Sequence, residues 1–262
     1  MLRLNAHLGY QFTEFEPWER FTQAARAGFK AVEWPAIYAY EPERLKATID
    51  ALSLRWVQVA LPFGDTSKGE KGLAALPGRE DEFIQGLRDA IHYAKTLGAC
   101  WIHPMAGVVR EWNEVVRTVY LKNLQRALDE ASVHGLGVLV EVIGNGEVPG
   151  YAMSDYRRAA EVFATLSGQP PHLLLDAYHA QTITGDAIGL VGEWAGRIGH
   201  VQIADVPGRH EPGTGNIDFN GFFSALQSAG YEGWVGCEYK PLNGTLPGLA
   251  RLADYASFLG ES

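Results

Sequence analysis

The chain has 262 residues, 47% of them apolar, and a formal net charge of −9. That length can bury a full core, in one large α/β domain or in two small ones. The acidic balance argues against nucleic acid or an anionic membrane as a partner, because phosphate recognition needs a basic patch. A small anionic substrate remains compatible, since a local cation cluster or a metal outweighs the global sign. No apolar run reaches the roughly 18 residues that a membrane span requires. The first residues, MLRLNAHLGYQFTEFEPWER, lack the apolar centre of a signal peptide. Cys100 and Cys237 sit in apolar, strand-like runs and are expected to be buried thiols, not a disulfide framework. Together these features predict a cytoplasmic protein with no nucleic-acid or membrane partner. Self-association into a homo-oligomer stays open.

Short apolar runs alternate with longer segments of helical period from end to end. Leu2 to Leu8 is the first predicted strand, followed by a helix from about Pro17 with Trp18, Phe21, Ala24 and Ala25 on one face. Ala31 to Trp34 is the second strand, and its helix runs from about Glu41 to Leu52. Trp56 to Leu61 is the third, followed by the loop PFGDTSKGEKG and a helix from about Gly78 to Leu97. Ala99 to His103 is the fourth; its helix, Trp112 to Val133, keeps Val116, Tyr120, Leu124, Leu128 and Ala131 in register. Leu136 to Glu141 is the fifth strand, with Tyr156 to Leu166 in its helix. Leu173 to Asp176 is the sixth, with a helix from about Ala187 to Ala195. The stretch from His200 supplies the seventh strand and Phe219 to Ala229 its helix; Gly233 to Glu238 is the eighth, and Leu246 to Leu259 closes the chain.

Gly28, Gly98, Gly135 and Gly230 each fall at a helix end just before the next strand, where a left-handed residue makes a tight stop. The strands are too apolar for a one-sided sheet, which implies a parallel sheet covered by helices. Eight β-then-α units in 262 residues fit a single (β/α)8 barrel, a TIM barrel, with residues 1–262 as one domain. A doubly wound open sheet is the alternative, but no GxGxxG or GxxxxGK[ST] loop opens any helix.

Active sites of such barrels form at the C-terminal ends of the strands. Glu141, Asp176, Gln202 and Glu238 all fall there, on four consecutive strands. Each alone has a bland reading, since a strand-end carboxylate often caps the next helix. Four together imply a cation, because crowded buried carboxylates repel. Three carboxylates and an amide oxygen suit Mg2+ or Mn2+ better than Zn2+. Of the histidines, His7, His103 and His179 fall at or just past strand ends, each as a substrate contact or as a hydrogen-bonding support for a ligand. His172 and His200 begin strands and are expected to be structural.

At these residues the chain resembles the hydroxypyruvate isomerase family, within the xylose isomerase-like barrels. GFKAVEW, GLAALPGRE, MAGVV, DAYHAQ, HVQIADVPGRHEPGTG and WVGCEYKP carry the likeness along nearly the whole length. The forms from His103 to Val109 and from Gly236 to Pro241 are especially similar to the branch acting on 2-oxo-tetronates. The resemblance implies a divalent metal and two glutamates that shuttle a proton. Glu141 and Glu238 match the glutamates, and Asp176 and Gln202 match the remaining ligands. His7 stands where the family pattern has Asn. Glu147, in the loop VIGNGEVPGY, sits where related ketose epimerases place a substrate-binding glutamate.

The expected reaction is isomerisation of a small hydroxy-oxo acid, either hydroxypyruvate to tartronate semialdehyde or a 2-oxo-tetronate to a 3-oxo-tetronate, through an enediolate. Arg209 is a candidate to pair with a substrate carboxylate, and a salt bridge to Glu211 or Asp205 is its alternative role. His103, Glu147 and His179 complete the candidate substrate contacts. The competing functions are a keto-sugar 3-epimerase with the same metal and glutamates, and a non-catalytic barrel that binds a sugar acid. A metal-dependent nuclease is disfavoured by the acidic charge and the oxygen-only ligands.

Overall fold

The computed structural model describes residues 1–260. They form two compact units, residues 1–57 with 174–260, and Gln58–Leu173. Strand and helix alternate along most of the chain, as the apolar periodicity predicts.

In the first unit, β1 (Arg3–His7), β2 (Ala31–Glu33), β3 (Arg55–Trp56), β8 (Ile198–Ile203) and β9 (Trp234–Cys237) pair in the order β3-β2-β1-β9-β8. Every pairing is parallel, with Ala6 opposite Val32, Arg3 opposite Trp234 and Val201 opposite Val235. In the second unit, β4 (Gln58–Ala60), β5 (Trp101–His103) and β6 (Gly137–Glu141) are likewise parallel neighbours. β7 (His172–Asp176) carries the chain from one unit into the other. Apart from their first residues, β1, β6, β7 and β8 are buried on both faces. This is why their sequences run apolar without alternation.

The helices start where the sequence offers a cap and stop where it offers glycine. α1 (Pro17–Arg26) begins on proline, whose missing N–H costs nothing at that position, and buries Phe21 and Ala24. α2 (Pro42–Ala51) begins the same way. α3 (Glu80–Leu97) buries Phe83, Leu87, Ile91 and Ala94, and ends at Gly98 with φ 72°. α4 (Glu114–Ser132) and α5 (Tyr156–Thr165) are capped by Asn113 and Asp155, whose side chains accept the Val116 and Arg158 N–H groups at 3.1 Å. All four inter-element glycines of the sequence pattern, Gly28, Gly98, Gly135 and Gly230, have positive φ.

Several elements depart from expectation. The third strand is divided at Val57 into β3 and β4. After β7 there are two helices where one was expected: α6 (Ala177–Thr184), closed by Gly185, and α7 (Ala187–Glu193). α6 has little amphipathic pattern of its own and is started by the side chain of Asp176. α8 (Phe219–Ser228) agrees with the pattern. The closing helix is shorter, α9 (Thr245–Ala250) running into a 3-10 turn over Arg251–Tyr255. Cys237 is buried as expected, whereas Cys100 is exposed, because it stands in the turn before β5 and not inside the strand. No helix among the described residues is long and apolar enough to cross a membrane.

The same added methyl group should act with opposite sign at two glycines. Gly98 has φ 72° and Gly192, within α7, has helical φ; nothing lies within 4 Å of a Cβ built at either. Gly98→Ala should destabilise by about 1 kcal/mol through the left-handed backbone, and Gly192→Ala should stabilise by about 0.5–1 kcal/mol through helix propensity. Urea unfolding of both variants measures the pair.

Candidate active site

In the first unit the chemistry gathers at the ends of β7, β8 and β9. Asp176 is the last residue of β7, and its two oxygens do different work. Oδ1 accepts the Tyr178 N–H at 2.8 Å and so caps α6, while Oδ2 accepts from Arg209 Nη2 at 2.9 Å. The bland and the functional readings of a strand-end carboxylate therefore hold together in one residue. The same Nη2 donates to Glu238 Oε1 at 2.6 Å. Glu238, just past β9, also faces His7, whose Nε2 lies 3.5 Å from Oε2. His179, one turn into α6, places Nε2 3.6 Å from Asp176 Oδ2 and 3.5 Å from Arg209 Nη1. Gln202, near the end of β8, is buried, and its Oε1 accepts no hydrogen bond among the described residues. A buried amide oxygen without a donor, in a unit that also buries Asp176, His179 and much of Glu238, is chemistry that suits a hard cation.

Arg209 is buried and left-handed, with φ 58°, a strained conformation for a non-glycine residue. Its loop is wound around Asp205. That fully buried carboxylate accepts the backbone N–H groups of Val206, Gly213, Gly215 and Ile217 at 2.8–3.0 Å. Gly215 must be glycine, because a Cβ there would stand 2.0 Å from the Val206 carbonyl oxygen. The Arg209 carbonyl accepts the Lys240 N–H at 2.7 Å, which ties the loop to the segment after Glu238. Tyr10 and Tyr178 present their rings to the guanidinium at 5.4 and 5.2 Å, within cation–π range. Arg209 forms ion pairs with Asp176 and Glu238, partners that the sequence reading, with its loop-internal bridge to Asp205 or Glu211, did not include. Glu211 accepts the Leu242 N–H at 3.1 Å.

Sequence reasoning missed Glu33, at the end of β2. It is fully buried, accepts from Asn5 Nδ2 at 3.0 Å, and meets His200 Nε2 at 3.0 Å. Asn5 and His200 are equally buried, and His200, expected to begin its strand, is instead the third residue of β8 and pairs with a carboxylate. Glu33 reaches over Gly236, where a Cβ would lie 2.1 Å from Glu33 Oε1 and 3.1 Å from Gln202 Cγ. The available signal was a carboxylate at one more strand end, together with a histidine two residues before Gln202 on the same face of β8.

These contacts set the proton affinities. Burial pushes Glu238 up to about 8; the Arg209 charge opposes, and the Asp176 and Glu33 charges reinforce. Burial pulls His7 down to about 4 against the opposing charge of Glu33, so His7 is neutral at pH 7.

In the second unit Glu141 ends β6 and is buried, and His103 ends β5 with Nε2 3.8 Å from Glu141 Oε2. Tyr151 is buried nearby in sequence and accepts the Ala106 N–H at 3.0 Å. Its hydroxyl is held well above the usual range, by burial first and by the Glu141 charge second. Glu147, the other candidate in this unit, stands six residues after Glu141. It lies exposed in a turn in which its N–H donates to the Gly144 carbonyl at 3.0 Å.

The chain belongs to the xylose isomerase-like TIM barrel family, whose description matches residues 21–256. Its fold class is accordingly the (β/α)8 barrel, to which the parallel strands and intervening helices conform. Within the family it groups with named isomerases. It is 36% identical to the hydroxypyruvate isomerase of Escherichia coli, over 97% of this chain and 100% of that one. It is 38% identical to the 2-oxo-tetronate isomerase of Cupriavidus necator, over 97% and 99%. A crystal structure from Brucella melitensis, described as AP endonuclease, family 2, superposes with a TM-score of 0.94 at 37% identity, over 97% of this chain and 99% of that one.

His7 gives a pH test. The unfolded chain takes up the His7 proton near pH 6.5 and the folded chain only near pH 4. Its contribution to stability is therefore intact above pH 6.5, declines as the pH falls, and levels off below 4, a change of about 3 kcal/mol in all. His7→Asn should remove that part of the acid-side loss, measured by urea unfolding of metal-free protein at pH 7 and pH 4.5.

Proposed function

We propose that the protein is a metal-dependent isomerase of a small hydroxy-oxo acid, interconverting hydroxypyruvate with tartronate semialdehyde or a 2-oxo-tetronate with a 3-oxo-tetronate. The observation that carries this reading is the convergence of Asp176 Oδ2 and Glu238 Oε1 on one cationic atom, at 2.9 and 2.6 Å. Two strand-end carboxylates that share a point of positive charge define a cation position. Full-length likeness to two isomerases of small oxo acids supports the same assignment.

We assign the metal, Mg2+ or Mn2+, to Glu141, Asp176, Gln202 and Glu238. His179 is an added candidate ligand, because its Nε2 lies 3.6 Å from Asp176 Oδ2. When bound, the metal would polarise the substrate carbonyl and offset the negative charge that develops on its oxygens. The protein's own residues move the proton. For hydroxypyruvate, C3 loses a proton and C2 gains one, while the O3 hydroxyl proton passes to O2. Glu238 and Glu141 are the exchanging acid and base. Without metal, burial raises Glu238 to about 8; ligation would lower it toward the range in which acid and base exchange a carbon proton near neutral pH. The Arg209 fork and the tyrosine rings beside it provide the site for the substrate carboxylate, which explains how a chain of net charge −9 accepts an anion.

The test is an assay of hydroxypyruvate, a 2-oxo-tetronate and a ketohexose, with and without chelator. Turnover of one of the two acids, abolished by chelator and restored by Mg2+ or Mn2+, is expected; preference for the ketohexose would overturn the reading. Glu238→Gln should retain the fold and lower kcat by about 10²–10⁴. In D2O the wild-type product should carry solvent deuterium at the receiving carbon. Near-normal turnover of the variant, or no exchange, would remove Glu238 from the proton path.

A further inference from the structure

The guanidinium of Arg209 stands where two of the assigned metal ligands meet. One nitrogen, Nη2, donates to Asp176 Oδ2 at 2.9 Å and Glu238 Oε1 at 2.6 Å. The loop holds it there. Its backbone is left-handed, its carbonyl is tied to Lys240, and the surrounding turn is wound on the buried Asp205. Asp176 and Arg209 are nearly inaccessible to water, and the Glu238 side chain is 13% exposed. Carboxylates so placed repel each other strongly without a positive charge between them.

We propose that Arg209 is the internal counter-cation of the metal-free site and competes with the divalent metal for Asp176 and Glu238, so that loading the metal frees the guanidinium for the carboxylate of the substrate. The inference rests on the metal assignment made above. Its physical basis is that an arginine and a divalent ion on the same two oxygens repel each other. Each therefore lowers the affinity of the site for the other, and this coupling is reciprocal. The rings of Tyr10 and Tyr178, at 5.4 and 5.2 Å from the guanidinium, favour the cation independently of the two carboxylates and so would still hold its charge once those are taken.

The prediction is read in binding and stability, not in turnover. Arg209→Gln should lower the melting temperature in chelator and tighten Mn2+ binding by tenfold or more in calorimetric titration. Arg209→Lys, which keeps the charge but not the fork, should fall between wild type and Arg209→Gln. Equal or weaker Mn2+ binding in both variants would overturn the proposal. Should both variants fail to fold without metal, the wild-type protein still decides. The 15N-labelled side-chain signal of Arg209 should be protected from exchange in chelator and lose that protection as Mg2+ is added; unchanged protection overturns the proposal. Wild-type protein that binds neither Mn2+ nor Mg2+ would refute the metal site itself, a result distinct from all of these.

Discussion

Uncompensated negative charge, buried at the ends of parallel strands, is the constraint around which the first unit is built. Asp176 shows how the fold meets it. Its Oδ1 closes the N-terminus of α6 and so joins the partial positive charge of a helix end, and its Oδ2 faces a guanidinium. Glu238, one strand-pair further along, shares that guanidinium and approaches a neutral imidazole. Glu33 is held by an amide and a second imidazole. Each carboxylate thus has its own set of partners, and for Glu238 burial outweighs the shared guanidinium and raises its proton affinity to about 8.

The recognition loop solves a backbone problem before it solves a chemical one. A chain leaving β8 and folding back on itself strands several N–H groups, and Asp205 gathers four of them onto one carboxylate. Glycine at 215 is needed for the close approach to Val206. Only with that centre in place can Arg209 be held in a left-handed conformation and kept buried. The charged residues of this stretch therefore divide into one that shapes the loop and one that points into the site. A similar economy operates under Gln202, where the missing side chain of Gly236 leaves room for Glu33.

The fold was legible because its signals are local. Glycines 28, 98, 135 and 230 act within a few residues of where they stand, and apolar runs of four to six residues declare doubly buried strands without any partner being known. The places of Glu141, Asp176 and Glu238 at or just past strand ends were legible for the same reason, since they follow from where each apolar run stops. What escaped depends on distant partners or on single atoms. α6 is started by one cap, which the weak pattern of AYHAQTIT did not announce. The pairing of Glu33 with His200 spans 167 residues. Arg209 could be recognised as a candidate, but its partners 33 and 29 residues away could not. Cys100 was misjudged because an apolar run does not mark which of its residues stands in the turn.

Placing the cationic residue on a loop and the acidic residues on strands has a consequence for how the site is organised. Strand ends are fixed by the ladder, so Asp176 and Gln202 cannot move far in answer to a ligand, and Glu238 follows directly on β9. Arg209 sits on irregular backbone, under strain, with hydrogen bonds to the acids and aromatic faces within reach of its charge. Any redistribution of charge on loading or emptying the site therefore falls on the arginine before the strands. On the proposed function, acids carried by the strands with one base on a loop suit a substrate that is itself an anion. The acids alone would repel it, and a base locked permanently to them could not receive it.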